Sequence, residues 1–234
     1  MPLTYKGLKI ADAGFVINLP ERIERKNSTD KLLSEIGFSG YNFFNGVKIH
    51  DESWRVFGCT QAYINLFEIA LKENYNNIIV FEDDIKLMNS INTSQIDSIF
   101  NTFSIHSKNY DVIALGTRPL PGSKIIKETE NFGKIYNLLS THSFFYKKNF
   151  ISYLYNSLKN YKLPKTSHYN CIIDEFINDC CSHNFVLKNK NKIFNIGITI
   201  PMVFTQNNSY SDNEMCIQEY DNWMEECFWN ALNL

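Results

Sequence analysis

The sequence predicts an α/β domain with a mostly parallel central sheet that is flanked by helices. Strand-sized apolar runs alternate with amphipathic helical segments through the first half of the chain, which is typical of this class. Hydrophobic residues make up 44% and aromatic residues 15% of the 234 residues, which is enough to fill a sizeable core. Because the chain has neither an internal repeat nor a long linker, we expect one domain over residues 1–234.

The first half of the chain is predicted to begin and end with a strand. The apolar run FVINL closes at Pro20, and the helical segment after it stops at Gly37, a residue type that often ends helices. The continuous apolar run NIIVF predicts a strand that is buried on both faces. The predicted order is strand 15–19, helix 21–37, helix 58–74, strand 77–81, helix 93–106 and strand 111–116.

The second half combines a loop, strands and amphipathic helices. The stretch RPLPGSK is rich in Pro, Gly and charge and predicts a loop. In the helix predicted near residue 175, an apolar stripe leaves Asp174 and Glu175 off the buried side. The predicted order is loop 117–131, one or two strands over 134–147, helices 148–159 and 169–183, strands around Val186 and over 196–204, a polar loop, and a last helix from about 214 to 232.

Composition and charge argue against several classes of protein. The 23 Lys and Arg residues nearly balance the 25 Asp and Glu residues, so we expect no nucleic-acid partner. No apolar stretch approaches the ~18 to 20 residues of a membrane helix, and the first residues lack the apolar block of a signal peptide. We therefore expect a cytoplasmic location, with peripheral membrane association left open. Six cysteines without scaffold-like spacing fit reduced thiols in that compartment.

The strongest chemical signal is the run FEDDI, which places Glu82, Asp83 and Asp84 directly after the buried strand. Carboxylates clustered at such a position repel one another unless a cation or hydrogen-bond donors stabilise them. Hard oxygen ligands suit Mg²⁺ or Mn²⁺, and such an ion commonly binds one or two protein carboxylates together with substrate phosphates. The run therefore indicates a metal and nucleotide-diphosphate site. An acidic turn that caps the next helix is the alternative.

Four short motifs occur in an order that resembles glycosyltransferase family 25, the lipopolysaccharide and collagen sugar transferases of GT-A type. These motifs are VINLPERIER at 16–25, FFNGV at 43–47, GC at 58–59 and IVFEDDI at 79–85. Weaker similarities follow in ALGT, CIIDEF and PMVFTQNNSYSD, so the resemblance covers about residues 14–212. The sequence departs from the family at Ala62 and Tyr63, where members usually have a Ser-His pair. We expect Tyr63 to be a packing residue of the helix there.

The resemblance implies a GT-A fold and a nucleotide-sugar site. The acidic run resembles the DxD-type element that holds a divalent cation, Mn²⁺ or Mg²⁺, against the diphosphate of a UDP-sugar. Asp84 is then the preferred metal ligand, with Glu82 as the second. Because alternate residues of a strand point to the same side, these two would face the metal while Asp83 turns away. The donor-binding residues that the resemblance implies are Asn18, Leu19, Arg22, Arg25, Glu82, Asp83 and Gln206.

An inverting transfer needs a base that takes the proton of the acceptor hydroxyl. The two acids of CIIDEF, Asp174 and Glu175, are the candidates. Asp174 is preferred because its side chain is shorter and the family motif has its acid at this first position. The alternative is that both belong to the polar face of an amphipathic helix. Solvated helix charges and an ordinary loop amide are the corresponding alternatives for Arg22, Arg25 and Gln206.

A zinc site is a further alternative, because His168, Cys171, Cys180 and His183 have the form H-x2-C…C-x2-H. In one continuous helix, Cys171 and Cys180 would lie about 13 Å apart at ~1.5 Å per residue, which is too far for ligands of one ion. We therefore expect these cysteines to be small core residues.

The motifs together predict a metal-dependent, inverting glycosyltransferase. It would move galactose or glucose from a UDP-hexose to a hydroxyl group of a glycan, lipopolysaccharide or collagen-like acceptor. Two alternatives stay open. A non-catalytic module that binds nucleotide sugars would fit the missing Ser-His pair, and a metal-dependent phosphohydrolase would fit the clustered carboxylates.

Overall fold

The structure is a computed structural model that describes residues 1–50, 57–160, 172–181, 194–207, 209–211, 216–218 and 223–233. A six-stranded sheet forms its centre. From edge to edge the strands are β10 (Ile196–Thr199), β8 (Val112–Lys127), β9 (Phe132–Lys147), β6 (Asn77–Glu82), β3 (Ala13–Asn18) and β5 (Tyr41–Asn45). Only β9 runs antiparallel to the other strands of this sheet. The predicted α/β class with a mostly parallel sheet is therefore confirmed.

Helices cover both faces of this sheet. The described α-helices are α1 (Ile23–Ile36), α2 (Phe57–Lys72), α3 (Thr93–His106), α4 (Lys148–Leu158), α5 (Ile172–Cys181) and α6 (Trp223–Asn233). Successive strand residues point to opposite faces of the sheet, and each face has its own hydrophobic cluster. Val80 and Phe144 belong to the cluster formed with α2, α4, α5 and α6. Phe81 and Phe145 belong to the cluster formed with α1 and α3. Within the described residues, none of the helices is both long and apolar enough to cross a membrane.

Short strands lie around the central sheet. They are β1 (Leu3–Tyr5), β2 (Leu8–Ala11), β4 (Phe38–Ser39), β7 (Ile85–Leu87), β11 (Phe204–Gln206), β12 (Ser209–Ser211) and β13 (Cys216–Gln218). The antiparallel pair β7–β11 matters most for the site, because it places Gln206 opposite Ile85, the residue that follows the acidic run.

Most of the elements predicted for the first half are confirmed. The third helix has the predicted bounds, Thr93–His106. Gly37 ends α1 in a left-handed conformation with φ of 105°, as expected for a glycine after a helix. The hairpin formed by β1 and β2 was not predicted from the sequence. It pairs with β4 in a small separate sheet.

The loop predicted for residues 117–131 is wrong over 117–127, and only residues 128–131 connect two strands. Strand β8 continues through this segment to Lys127 and pairs with β9, with register shifts around Pro119. Strand β10 pairs with β8 only over residues 112–114, so this extension of β8 has one edge without a strand partner among the described residues. Proline is tolerated at such an edge because the missing N–H would have had no ladder partner there.

Two further predictions near the C-terminal end need correction. The single strand predicted over 196–204 is two strands, β10 in the central sheet and β11 beside β7. The helix predicted from about residue 214 begins at Trp223, because Cys216–Gln218 pairs with β12 instead. The predicted strand around Val186 lies outside the described residues, as do both ends of the helix predicted for 169–183.

Candidate active site

The acidic run lies at the carboxyl end of central strand β6. The strand ends at Glu82, and Asp83 and Asp84 form a turn before β7. Because this turn interrupts the extended backbone, the predicted alternation, with Asp83 pointing away from Asp84, is wrong. Both aspartates instead approach the guanidinium of Arg25, with its Nη1 3.1 Å from Asp83 Oδ1 and 3.7 Å from Asp84 Oδ2.

Asp83, within the acidic run, contacts residues of the first sequence motif, VINLPERIER. Asn18, the last residue of neighbouring strand β3, donates its side-chain amide to Asp83 Oδ2 at 2.6 Å. Thr29 of α1 donates its hydroxyl to the Asp83 backbone carbonyl at 2.8 Å. Burial raises the pKa of Asp83, while Arg25 and Asn18 act to lower it. These contacts fix the turn at the end of β6 against α1.

Asp84, in the motif IVFEDDI, lies beside Gln206 of the segment PMVFTQNNSYSD. The Gln206 side-chain nitrogen is 3.5 Å from both carboxylate oxygens of Asp84, and the Asn207 amide donates to the Asp84 backbone carbonyl at 2.7 Å. Burial and the charge of Asp83 raise the pKa of Asp84 to about 6, although Arg25 and Gln206 lower it. The pairing of β11 with β7 is what brings this distant glutamine to the acidic run.

Glu82 points toward a different set of partners. The hydroxyl of Thr141, on β9, donates to Glu82 Oε1 at 3.0 Å, and the hydroxyl of Tyr63, on α2, lies 3.3 Å from the same oxygen. Burial, followed by the charges of Asp84 and Asp174, raises the pKa of Glu82 well above its usual value. The charges of both aspartates, the predicted metal ligand and the predicted base, therefore act on Glu82.

Asp174 is buried, which corrects the expectation that it lies off the buried side of its helix. Its exposed fraction is 9%, and among the described residues its Oδ1 has no hydrogen-bond partner. Burial raises the pKa of Asp174 to about 7, while the Thr141 hydroxyl, the Arg118 charge and the Ser140 backbone amide lower it. A polar face exposed to solvent does not explain such an environment. A buried carboxylate oxygen without a partner is energetically unfavourable, so this position calls for a functional reason.

Arg22 also acts on the acidic run, because its charge lowers the pKa of Asp83, which burial raises, and its backbone carbonyl accepts from the Asn18 side-chain amide at 3.2 Å. The backbone carbonyl of Leu19 accepts from the Arg22 amide at 2.8 Å, so both residues shape the turn between β3 and α1. The Arg22 guanidinium lies 3.5 Å from Glu24. Glu175 follows Asp174 on α5 and is only partly buried.

Sequence reasoning missed Thr141, Ser140 and Arg118. Ser140 donates its hydroxyl to the Gln206 side-chain oxygen at 3.5 Å. The Arg118 guanidinium lies over the indole of Trp223, 5.6 Å from the ring centre, and this indole is 43% exposed. Single Thr, Ser and Arg residues inside strands give no chemical signal, so only their spatial neighbours identify them.

Tyr63 is fully buried in α2, which agrees with a packing role, but its hydroxyl reaches the site. We expect Tyr63→Phe to lower the free energy of unfolding by about 1–3 kcal/mol, because the Thr141 carbonyl, 3.0 Å from the hydroxyl, loses its donor. Activity should persist with an unchanged pH profile, since burial raises the pKa of Tyr63 well above its usual value. Urea unfolding and rate measurements between pH 6 and 8 test this. Complete loss of activity would make Tyr63 a participant in the chemistry.

The carboxylates and the Gln206 amide are hard oxygen ligands of the kind that Mg²⁺ and Mn²⁺ prefer. In the part of the chain that the structure describes, no three His, Cys, Asp or Glu side chains are grouped to hold a metal unaided. A cation shared with phosphates needs only one or two protein carboxylates, and the raised pKa of Asp84 is the sign of a buried charge that a cation would stabilise. The residues therefore fit such an ion. Of the four zinc candidates, only Cys180 is described, as a buried free thiol.

The buried acids predict an unusual dependence of stability on pH. Asp174 has a pKa of about 7 in the folded chain and of ~4 when unfolded, so its folded form prefers the proton. Stability should therefore fall as pH rises from ~4 to ~7. In Asp174→Asn, the free energy of unfolding should fall less over this pH range, by a few kcal/mol, because each unit of pKa shift corresponds to ~1.4 kcal/mol. Urea unfolding at pH 5 and pH 8 measures it, with Glu175→Gln as the control, and an undiminished fall in Asp174→Asn contradicts the expectation.

No family model and no curated protein matches the chain. Among solved structures, it is similar to a glycosyltransferase involved in the glycosylation of the major capsid of PBCV-1, with 13% identity over 92% of this chain and 98% of that chain and a TM-score of 0.45. It is also similar to a nucleoside-diphosphate-sugar pyrophosphorylase from Vibrio cholerae RC9, with 14% identity, 83% and 80% coverage and a TM-score of 0.39. These distant similarities identify no family, so the function has to come from the chemistry of the site.

Proposed function

We propose that the chain is a nucleotide-sugar-dependent glycosyltransferase of the family 25 type, which moves a hexose from a UDP-sugar to a hydroxyl group with inversion. The observation that carries this proposal is that the acidic run and the acid of α5 lie near one another at the carboxyl end of strand β6. Asp83 and Asp84 lie with Arg25 at the end of β6, and the charge of the buried Asp174, whose Oδ1 has no hydrogen-bond partner among the described residues, acts on Glu82.

The donor diphosphate belongs at the Asp84 side of this site. Arg25 offers a guanidinium, and Gln206 offers a side-chain amide beside the carboxylate of Asp84. Ligands of α/β sheets commonly bind outside the carboxyl ends of the strands, where this group lies. Mn²⁺ or Mg²⁺ bound by Asp84, with Glu82 as the second ligand, would offset the charge that develops on the UDP leaving group.

Asp174 is the proposed base. Its raised pKa of about 7 makes it a stronger base than an exposed aspartate, and near neutral pH a substantial fraction of the carboxylate is ionised. The free Oδ1 would accept the proton of the acceptor hydroxyl as that oxygen attacks the anomeric carbon. The bond from this carbon to the diphosphate breaks on the opposite face, so UDP leaves with the bonding electrons and the configuration inverts.

The acceptor would approach from the Asp174 side. Arg118, whose charge acts on Asp174, also lies against the exposed indole of Trp223. This indole presents a flat apolar surface close to the proposed base, which suits the apolar face of a sugar ring. A glycan acceptor, including one carried by lipopolysaccharide or a collagen-like protein, is therefore the class that we propose.

UDP release from UDP-galactose and UDP-glucose in the presence of Mn²⁺, with and without candidate glycans, tests the proposal. We expect slow release without an acceptor and faster release with a suitable one. Metal-linked UDP binding without turnover of either donor would favour a non-catalytic binding module. Hydrolysis of unrelated phosphate esters, with no sugar transfer, would favour a phosphohydrolase.

A further inference from the structure

Strand β9 contains an irregular segment where it passes the site. The ladder with β8 pairs Gly116 with Ser143 and Arg118 with Leu139, so Thr117 alone faces three residues of β9, Ser140–His142. We refer to Ser140–His142 as the β9 bulge. Ser140 has a φ of 74°, a left-handed conformation that is unfavourable for a residue with a side chain.

Contacts on the far side of the strand from Glu82 hold the β9 bulge in this conformation. The Thr117 hydroxyl lies 3.0 Å from the carbonyl oxygens of both Leu139 and Ser140. The Ser140 hydroxyl lies 3.0 Å from Nδ1 of His142, which is fully buried. A side chain at Gly116 would come within 2.9 Å of the His142 ring, so only glycine permits this close packing. The strain at Ser140 is therefore maintained by several independent contacts.

The β9 bulge contacts four separate parts of the site. The Thr141 hydroxyl donates to Glu82 at 3.0 Å, and the Thr141 carbonyl lies 3.0 Å from the Tyr63 hydroxyl. Ser140 reaches Gln206 through its hydroxyl at 3.5 Å. The Thr141 hydroxyl and the Ser140 backbone amide also lower the pKa of Asp174, which burial raises. One short segment thus touches residues of α2, α5, β6 and β11.

We propose that the β9 bulge is a positioning element of the active site, in which the Thr141 hydroxyl holds the Glu82 carboxylate in place at the end of strand β6. This inference rests on the proposed function and goes beyond it, because Thr141 acts through Glu82 and touches neither substrate. Bulges near active sites commonly redirect a side chain, and here the bulge directs Thr141 to Glu82. The position of the Glu82 carboxylate then depends on this hydroxyl.

The test compares two substitutions of Thr141 in the full chain. Thr141→Val keeps the shape of the side chain and removes the hydroxyl, whereas Thr141→Ser keeps the hydroxyl. We expect Thr141→Val to lower kcat for UDP release ~10-fold or more, because the hydrogen bond that positions the Glu82 carboxylate is lost. Thr141→Ser should recover kcat to within ~3-fold of the parent.

The matched control is Thr102→Val, which removes a hydroxyl that donates within α3 at 2.9 Å and is expected to leave kcat unchanged. A parent-like kcat in Thr141→Val overturns the inference. Equal losses in Thr141→Val and Thr141→Ser also overturn it, because packing would then be the cause. If Thr141→Val does not fold, Thr141→Ala removes the same hydroxyl and replaces it in the comparison.

A crystal structure of Thr141→Val gives a readout that does not depend on turnover. The inference requires the Glu82 carboxylate to leave the position that it has beside Thr141, and an unmoved Glu82 overturns it. A parent protein that binds and turns over no UDP-sugar would refute the proposed function alone, since the position of Glu82 in the variant still decides the role of the bulge.

Discussion

Asp84→Asn is expected to lower Mn²⁺-supported turnover of a UDP-hexose more than about 100-fold while the fold stays intact. The amide keeps the size of the carboxylate but lacks the negative charge that a hard cation requires. The fold should tolerate the change, because Asp84 is held by long polar contacts, 3.5 Å to Gln206 and 3.7 Å to Arg25. Burial already raises the pKa of Asp84 to about 6, so removing its charge relieves an unfavourable interaction.

The measurement is UDP release at increasing Mn²⁺ concentration, with thermal unfolding as the check on folding. Asp97→Asn is the matched control, because it makes the same change on α3, where the carboxylate pairs with Lys6 at 2.6 Å outside the site. An excess of chelator should reproduce the effect of Asp84→Asn in the parent. Full activity in the variant, or in the parent with chelator, would refute the metal-dependent mechanism.

Asp174→Asn is expected to lower the rate of sugar transfer by ~10² to 10⁴-fold, the usual contribution of a general base. An asparagine cannot accept the proton from the acceptor hydroxyl. UDP affinity should change little, because the proposed diphosphate contacts come from Arg25 and Gln206 beside Asp84 and not from Asp174. Loss of rate with intact donor binding separates a base from a residue that binds substrate.

Glu175→Gln is the control for Asp174→Asn, because it makes the same chemical change at the next position of α5. Glu175 is only partly buried, whereas Asp174 is 9% exposed, so we expect Glu175→Gln to retain most of the parent activity. The two variants and the parent are compared by transfer rate and by UDP titration calorimetry. Parent-like transfer in both variants would mean that the base does not lie on α5.

The sequence correctly predicted that the acidic run lies at the carboxyl end of a buried strand, because this prediction depends on neighbouring residues only. A continuous apolar segment such as NIIVF must be buried, and the acids that follow it must lie where the strand ends. The neighbouring parallel strand β3 ends at the same edge, which brings Asn18 to Asp83. The helix periodicity likewise gave the bounds of α3 without any knowledge of its neighbours.

The burial of Asp174 could not be read from the same periodicity. A helical pattern separates an apolar stripe from the other positions, but it does not say what covers those positions. In the structure, α5 packs against β9 and α2, so a residue off the stripe faces Thr141 and Glu82. The partner, and therefore the pKa of this carboxylate, depends on how two distant segments pack.

The sequence by itself determined the helices and most of the central strands of the first half of the chain, the α/β class and the position of the acidic run, because each depends on the spacing of apolar residues along a few turns or one strand. Only the tertiary structure decided which side chains surround the acids. Thr141 reaches Glu82 across 59 positions of sequence, and Gln206 reaches Asp84 across 122. Contacts over such separations follow from strand pairing and bulges, which the local spacing of apolar residues does not encode.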